Sequence, residues 1–335
     1  MSTAASEPTT LTLGKAINVG LRRALESDPK VLLMGEDIGK LGGVFRVTDA
    51  LQKDFGEHRV IDTPLAESSI MGAAIGLAMR GYRPVTEVQF DGFVYVAFDQ
   101  IVTQLAKMHA RSSGRVSMPV TLRLPYGGGI GAVEHHSESP EAYFAHTAGL
   151  RVVTPSNPQD AFWMVRQAVA SNDPVVFLEP KRRYWDKGLV DTESPLADAP
   201  MGLDQATVAR AGKDATLVCY GPMVRTCLEA ADAAAVDGVG LEVVDLRSLS
   251  PIDMSTVSAS VKHTGRCIVV HEAPVFLGMG AEIAARVTER CFYDLQAPVL
   301  RVGGFHAPYP PSRIEHHYLP DLDRVLDAVD TALAY

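Results

Sequence analysis

The sequence has little cysteine and no excess of positive charge. The chain of 335 residues contains four cysteines, and none of them forms a Cys-x-x-Cys pair. This count excludes a disulfide framework and favours a reducing compartment, so we expect a cytoplasmic protein. The formal net charge is −9. A surface of that sign does not attract a phosphate backbone, and we expect no nucleic acid partner.

Long apolar runs are also missing. The most apolar stretch, Ile70 to Met79, is ended by Arg80, well short of the about 20 residues that a membrane-spanning helix needs. The first ten residues are polar and show no basic flank followed by an apolar run, so we predict neither a secretory signal nor a membrane partner.

The length of 335 residues suggests two domains, at about 150 residues each. Short β-branched runs alternate with longer amphipathic stretches, which is typical of an α/β fold with parallel sheets flanked by helices. The periodicity lapses in one acidic stretch that contains proline, and we place the domain boundary there. The predicted organisation is a disordered N-terminus over 1–10, an α/β domain over 11–186, a linker over 187–205 and a second α/β domain over 206–335.

The same patterns predict the individual elements. Predicted strands are 31–34, 59–62, 84–90, 120–124, 151–154 and 175–179 in the first domain, and 216–220, 241–246, 267–270 and 299–302 in the second. Predicted helices are 13–26, 69–80, 94–111, 158–170, 224–236, 255–262, 282–290 and 322–333.

A glycine-rich loop, Gly127 to Ala132, formally satisfies the pattern of a nicotinamide-binding turn. The residues that follow it do not form an amphipathic helix, and the next predicted strand does not end in an acidic residue. A nicotinamide oxidoreductase is therefore disfavoured. The neighbouring Glu134, His135 and His136 diverge in an extended segment, which argues against a zinc site.

One carboxylate, Glu67, lies among apolar and very small residues at the start of a predicted helix. An acidic residue in a first helical turn is commonly explained by the helix dipole alone. The flanking residues are too apolar for a solvated face, however, and Gly72 and Gly76 would let another helix approach closely. This setting favours a carboxylate that binds a ligand.

The run Asp62-Thr63-Pro64-Leu65-Ala66-Glu67, followed by Gly72-Ala73-Ala74-Ile75-Gly76, resembles the aminopyrimidine half-site of thiamine diphosphate enzymes. More narrowly, the chain resembles the beta subunit of the decarboxylase component of 2-oxo acid dehydrogenases, in register from about Leu11 to the C-terminus. Further matching stretches are Gly35-Glu36-Asp37, Glu87-Val88-Gln89-Phe90, His136-Ser137-Glu138-Ser139-Pro140 and His271-Glu272-Ala273-Pro274. The resemblance implies a pyrimidine-binding domain followed by a transketolase C-terminal-like domain.

The resemblance also assigns roles to residues. Glu67 matches the carboxylate that hydrogen-bonds the aminopyrimidine ring nitrogen of thiamine diphosphate. Leu65, Gln89 and Phe93 match positions that line the pyrimidine, although Leu65 and Phe93 could equally be core residues and Gln89 could face water. His136 matches a residue that orients the substrate or donates a proton during acyl transfer to a lipoyl group, and its alternative is a solvent-exposed loop histidine.

The sequence lacks a Gly-Asp-Gly motif, which in this family holds the cofactor diphosphate through Mg²⁺. The resemblance therefore implies that an alpha subunit supplies the metal and the other half of the site, in an α2β2 heterotetramer that serves a lipoyl acyltransferase. Some family members also bind potassium through backbone carbonyls. The matching positions here are Val120, Ala168, Val169, Ser171 and Asp173, of which Ser171 and Asp173 depart from the usual residue types.

The expected activity is oxidative decarboxylation of a 2-oxo acid. The stretch Ser139 to His146 is closer to branched-chain members of the family than to pyruvate members, so the expected substrate is 3-methyl-2-oxobutanoate. Pyruvate or acetoin dehydrogenase is the near alternative. An alternative of another class is a catalytically silent assembly subunit.

Overall fold

The structure is a computed structural model, and it describes residues 8–335. Of the N-terminus that the sequence predicts to be disordered, 1–10, residues 1–7 lie outside the described residues. The prediction is wrong for Thr9 and Thr10, which belong to a strand paired with residues 189 and 190. Internal contacts divide the chain into two compact units. Unit 1 contains the described residues up to Tyr126 together with Tyr143–Leu203, and unit 2 contains Gly127–Ala142 and Asp204–Tyr335.

The first part of the chain alternates strands and helices. The strands are β1 (Thr9–Thr12), β2 (Val31–Gly35), β3 (Val60–Asp62), β4 (Arg83–Glu87), β5 (Thr121–Tyr126), β6 (Arg151–Val153), β7 (Val175–Pro180) and β8 (Lys187–Val190). The helices are α1 (Leu13–Ser27), α2 (Leu51–Phe55), α3 (Glu67–Met79), α4 (Ala106–Arg111), α5 (Glu141–Ala145) and α6 (Pro158–Ala170).

Six strands of unit 1 form a parallel arrangement in the order β6-β7-β5-β4-β2-β3. Strands β2, β5 and β7 are buried along their whole length, as expected for parallel strands covered on both faces. Helices α1 and α6 pack against each other and enclose the main apolar core of this unit. The predicted α/β architecture is confirmed.

The segment predicted as a linker, 187–205, contains a strand. Its first residues form β8, which pairs antiparallel with β1 through the register Thr9↔Val190 to Thr12↔Lys187. The contacts of unit 1 extend as far as Leu203. The acidic composition of this stretch indicates a surface position. It does not predict that β8 pairs with β1, because β1 lies at the other end of the domain sequence.

Unit 2 repeats the alternation. Its strands are β9 (Thr207–Arg210), β10 (Ala215–Cys219), β11 (Leu241–Asp245), β12 (Ser248–Ser250), β13 (Cys267–Pro274) and β14 (Leu300–Gly304). Its helices are α7 (Met223–Val236), α8 (Met254–Thr264), α9 (Met279–Cys291), α10 (Glu315–Tyr318) and α11 (Leu322–Leu333). Five strands lie in the order β14-β13-β10-β11-β9, with β9 antiparallel at the edge.

The region between β4 and β5 differs from the predicted single helix over 94–111. A 3₁₀-helix covers Asp91–Ala97, a π-helical segment covers Gln100–Leu105, and only α4 is α-helical. The apolar periodicity detects the buried face of this region. Its winding is set by tertiary contacts, which include the ion pair between buried Asp91 and Lys181.

The four cysteines are free and buried, in strands β10 and β13 and in helices α7 and α9. No helix within residues 8–335 has both the length and the apolar character needed to cross a membrane.

The core of unit 2 contains a neutral histidine. His271 in β13 is fully buried, and its Nδ1 lies 2.9 Å from the carbonyl oxygen of Ala273. Glycine makes room for the ring, because a Cβ on Gly280 would lie 2.7 Å from its Nε2. Burial, assisted by the charge of Arg301, lowers the pKa of His271 to about 4. The Gly-Met-Gly sequence at the start of α9 thus has a packing role.

This burial predicts an acid-sensitive fold. Since the pKa of His271 is lowered from 6.5 to about 4, the unfolded chain takes up this proton first. The free energy of unfolding should therefore fall as pH drops from about 6.5 to about 4, by about 3 kcal/mol for this group. Melting temperatures measured across this range should show the decline. It should be weaker in His271→Asn and intact in the control His263→Asn, and an equally steep decline in His271→Asn would contradict the assignment.

Candidate active site

The register of three parallel strands places the candidate site. Gly35 at the end of β2 pairs with Asp62 at the end of β3 and with Glu87 at the end of β4. The three strands therefore end side by side, and the residues that follow them meet at one edge of the sheet. Ligands of open parallel sheets bind at such carboxyl edges.

Glu67 follows β3 and is the first residue of α3. It is 6% exposed. The N-cap residue of the helix, Ala66, makes no side-chain hydrogen bond to this first turn. A carboxylate serving only the helix dipole would normally be solvated. Because Glu67 is buried beside the sheet edge, a ligand that enters there would meet a carboxylate that is largely shielded from water.

A second carboxylate, Glu36, follows β2 directly and is 7% exposed. Burial, followed by the negative charge of Glu67, raises the pKa of Glu36 above its ordinary value. The backbone N–H of Ala66 donates to this carboxylate, and its Oε1 atom is buried without a hydrogen-bond partner among the described residues. The sequence analysis assigns no role to Glu36 in the stretch Gly35-Glu36-Asp37. A sequence signal for such a role is the position of an acidic residue immediately after a strand that is apolar throughout.

Gln89, two residues after the end of β4, joins this group. Its Nε2 atom donates to the Glu36 carbonyl oxygen at 3.3 Å and to the Asp37 carboxylate at 3.4 Å. The predicted strand 84–90 includes Gln89, whereas the observed strand β4 ends at Glu87. Gln89 therefore lies beyond the end of the strand. Phe93 is half-buried and packs edge-on against Phe90 at 6.1 Å between ring centroids.

Leu65 lies in the turn that leads into α3 and is 81% exposed. It is therefore no core residue of this chain. The structure brings Glu67 and Gln89 together through Glu36, which contacts the residue before Glu67 with its side chain and Gln89 with its carbonyl oxygen.

Buried charges hold the segment after β4 in place. Arg123 in β5 forms ion pairs with Glu87 in β4 and with Glu179 in β7, the latter at 2.6 Å. A few residues further on, the Lys181 ammonium pairs with Asp91, and both side chains are fully buried. One end of the segment 88–90 is therefore tied to β5, and the other to the 3₁₀-helix Lys181–Arg183 that follows β7, which restrains the backbone of Gln89.

His136 belongs to unit 2, where it ends a short 3₁₀-helix, Glu134–His136. Its ring is half-buried and lies 4.5 Å from that of His135, centroid to centroid. The backbone N–H of His136 donates to Val133 at 3.0 Å. The glycine loop before it is not followed by an α-helix, in agreement with the rejection of a nicotinamide-binding turn.

The five residues matched to a potassium site are already engaged. The hydrogen bonds are Val175 N–H to the Val120 carbonyl at 2.9 Å, Ser171 N–H to Ala168 at 3.1 Å, and Arg83 Nη1 to Val169 at 3.2 Å and to Ser171 at 2.9 Å. The Asp173 carboxylate pairs with Arg151 at 3.2 Å. A cation beside the Arg83 guanidinium would be repelled. These residues do not fit a potassium ion, and we assign it no role.

No group of three or more His, Cys, Asp or Glu side chains within residues 8–335 is arranged to hold a metal ion.

Comparison with known protein families places both halves of the chain. The family described as "Transketolase, pyrimidine binding domain" matches residues 9–186, and "Transketolase, C-terminal domain" matches residues 204–325. A "Pyruvate dehydrogenase E1 component subunit beta" of Leifsonia xyli subsp. xyli is 60% identical, over 97% of this chain and 95% of its own length. The chain belongs to the E1 beta subunits of 2-oxo acid dehydrogenases.

A second E1 beta relative carries another substrate name. A "3-methyl-2-oxobutanoate dehydrogenase subunit beta" of Mycobacterium tuberculosis is 55% identical, over 96% of this chain and 92% of its own length. A solved structure titled "Split gene transketolase, inactive beta4 tetramer" has a TM-score of 0.76 at 24% identity and covers 97% of this chain and 98% of that chain. That likeness shows the fold. The family membership and the fold are as predicted, whereas the specific substrate is not decided by these relatives.

The buried ion pair beneath this E1 beta site gives a stability prediction. Replacing Lys181 by Met would leave Asp91 buried without its ammonium partner, which should lower the free energy of unfolding by about 3–5 kcal/mol. Urea denaturation should show this loss, and the exposed control Lys187→Met should change stability little. Removing both charges, in Asp91→Asn with Lys181→Met, should cost less than Lys181→Met alone. A double variant that is less stable than Lys181→Met would refute this account.

Proposed function

We propose that this E1 beta subunit supplies the aminopyrimidine half of a thiamine diphosphate site and that an alpha subunit completes it. The observation that carries the proposal is the buried carboxylate Glu67, with Glu36 and Gln89 beside it, at the carboxyl edge of the parallel sheet. A heteroaromatic ring with basic and acidic nitrogens suits this set of donors and acceptors.

The residues present fit that ring. Glu67 would share a proton with a ring nitrogen, and Gln89 offers an amide within reach of the same edge. Leu65 and Phe93 would cover the faces of the ring, which is consistent with the large exposed surface of Leu65. When bound, thiamine diphosphate supplies a carbon nucleophile that adds to the keto group and accepts the electron pair released with carbon dioxide.

His136 would act on the substrate side of the reaction. Its imidazole can orient the 2-oxo acid or donate a proton during acyl transfer to a lipoyl group, because its unperturbed pKa is near 6.5. The diphosphate and its Mg²⁺ would be held by the alpha subunit, since this chain has no Gly-Asp-Gly motif.

Two surfaces support subunit partners. Helix α3 leaves open space at Gly76, where no described heavy atom other than those of the adjoining helical backbone lies within 4 Å of a Cβ position, and Met79 on the same helix is 54% exposed. Such a surface suits the close approach of another helix in an α2β2 heterotetramer. In unit 2, a groove beside α9 is lined by Ala281, Ala284, Phe292 and Tyr335, and we propose it for contact with the lipoyl acyltransferase.

For the substrate we propose 3-methyl-2-oxobutanoate and related branched 2-oxo acids. The sequence from Ser139 to His146 supports this choice. In unit 1 the partly exposed rings of Tyr95 and Tyr143 lie 6.0 Å apart and present an apolar surface that suits a branched acyl group. Pyruvate is the second candidate, supported by the name of the Leifsonia relative.

The role of Glu67 is tested by a substitution that keeps its size. Glu67→Gln should lower thiamine-diphosphate-dependent decarboxylation by about 100-fold or more, because the amide cannot take the proton that the carboxylate holds. Assembly with the alpha subunit, measured by gel filtration, should be unchanged. Glu57→Gln, at an exposed position, is the matched control. Wild-type turnover by Glu67→Gln would favour the silent assembly subunit.

The partner and the substrate are tested together. The tagged chain, purified from its own cells, should bring down a second subunit, and the eluate should decarboxylate 3-methyl-2-oxobutanoate faster than pyruvate. A preference for pyruvate would select the second candidate. A chain purified alone without any activity, and inactive with a co-expressed alpha subunit, would overturn the half-site proposal.

A further inference from the structure

The glycine loop at Gly127–Gly131 is held by carboxylates from distant parts of unit 2. The N–H of Gly128 donates to Glu272 Oε1. The N–H of Gly129 donates to Glu315 Oε1 at 2.7 Å, and that of Gly131 donates to Glu315 Oε2 at 3.1 Å. Successive backbone amides of this kind form a concavity that binds anions. Here the chain's own carboxylates fill it.

Tyr309 completes this arrangement. Its hydroxyl donates to Glu315 Oε1 at 2.6 Å and lies 3.3 Å from the N–H of Gly129. A Cβ on Gly128 would lie 1.8 Å from the same hydroxyl oxygen, so a side chain cannot be accommodated there. Burial, followed by the hydrogen bond to Glu315, raises the pKa of Tyr309, which keeps the hydroxyl a donor at neutral pH.

The segment that carries His136 is also held at its C-terminal end, by a contact within unit 2. Glu141 is fully buried, and its carboxylate accepts a hydrogen bond from the Tyr220 hydroxyl at 2.7 Å. The backbone that carries His136 thus runs between two anchored points. Of these anchors, Glu315 is the one that binds two separate amides of the loop.

We propose that Glu315, oriented by Tyr309, is a positioning residue that holds the glycine loop and thereby places His136 for the reaction. This inference rests on the function proposed above for His136. It adds a residue that lies 186 positions from Gly129 and 184 from Gly131 in sequence, and no motif of the sequence connects this residue to the site.

The carboxylate is needed because both amides are donors. Two charged oxygens accept from both, and hydrogen bonds to a charged acceptor are stronger than neutral ones. A glutamine at this position would present one oxygen and one NH₂ group, and the NH₂ would face the N–H of either Gly129 or Gly131. Glu315→Gln therefore removes one contact and weakens the other without removing volume.

The first test measures the loop and does not depend on turnover. In the full-length chain with the subunit that co-purifies, hydrogen exchange of a peptide covering 127–132 should be roughly tenfold faster in Glu315→Gln. Tyr309→Phe should show a smaller increase. Glu289→Gln, the same charge change at an exposed position of unit 2, should exchange like the wild type. Unchanged exchange in Glu315→Gln would overturn the proposal.

The second test separates positioning from general destabilisation. Glu315→Gln should lower kcat for decarboxylation by about tenfold while the Kd for thiamine diphosphate, measured by fluorescence quenching, stays the same. If Glu315 acts through His136, the double variant His136→Ala with Glu315→Gln should be no slower than His136→Ala alone.

Losses that multiply in the double variant would show that Glu315 acts independently of His136 and would overturn the proposal. A complex without thiamine-dependent activity would refute the proposed function instead. In that case the exchange comparison alone decides whether Glu315 holds the loop, and faster exchange supports it.

Discussion

The candidate site depends above all on the parallel pairing of β2 with β3 and β4. Because Gly35 is in register with both Asp62 and Glu87, the three strands end together and deliver Glu36, Glu67 and Gln89 to one edge. A shift in the pairing of any of these strands would move its carboxyl end, and with it the residues that follow, away from the other two. The placement proposed for Glu67 therefore follows from the backbone hydrogen bonds that pair fully buried β2 with its two neighbours.

Burying acidic groups at this edge carries an energetic cost, which the surrounding charges offset. Arg123 pairs with both Glu87 and Glu179, and Lys181 pairs with Asp91. Glu36 and Glu67 form no ion pair with a cation of residues 8–335, and burial, followed by the charge of Glu67, raises the pKa of Glu36. This contrast separates two kinds of buried acid. Those paired with Arg123 and Lys181 join neighbouring segments of the backbone, whereas Glu36 and Glu67 are the carboxylates that we propose to face a ligand.

The sequence predicted most regular elements closely because local periodicity reports which face is buried. Helices α6 and α11 begin and end at the predicted residues, and α1 differs by one residue at its C-terminus. The winding between β4 and β5 was not predictable in this way, since it depends on a buried ion pair with Lys181, 90 positions from Asp91. The hydrogen bonds from Arg83 in β4 to the carbonyls of Val169 and Ser171, at the end of α6, were not predictable for a similar reason.

By itself, the sequence determined the α/β class and the family and predicted Glu67 and Gln89 as ligand-facing residues, because alternating periodicity and a colinear run of motifs are local properties of the chain. Only the tertiary structure showed that Glu36 lies beside them. Glu36 and Gln89 meet through strand register, and Glu315 reaches the glycine loop across 186 positions. Such contacts form only when distant segments pack together. Because the partners are so far apart in sequence, no local spacing or periodicity predicts them.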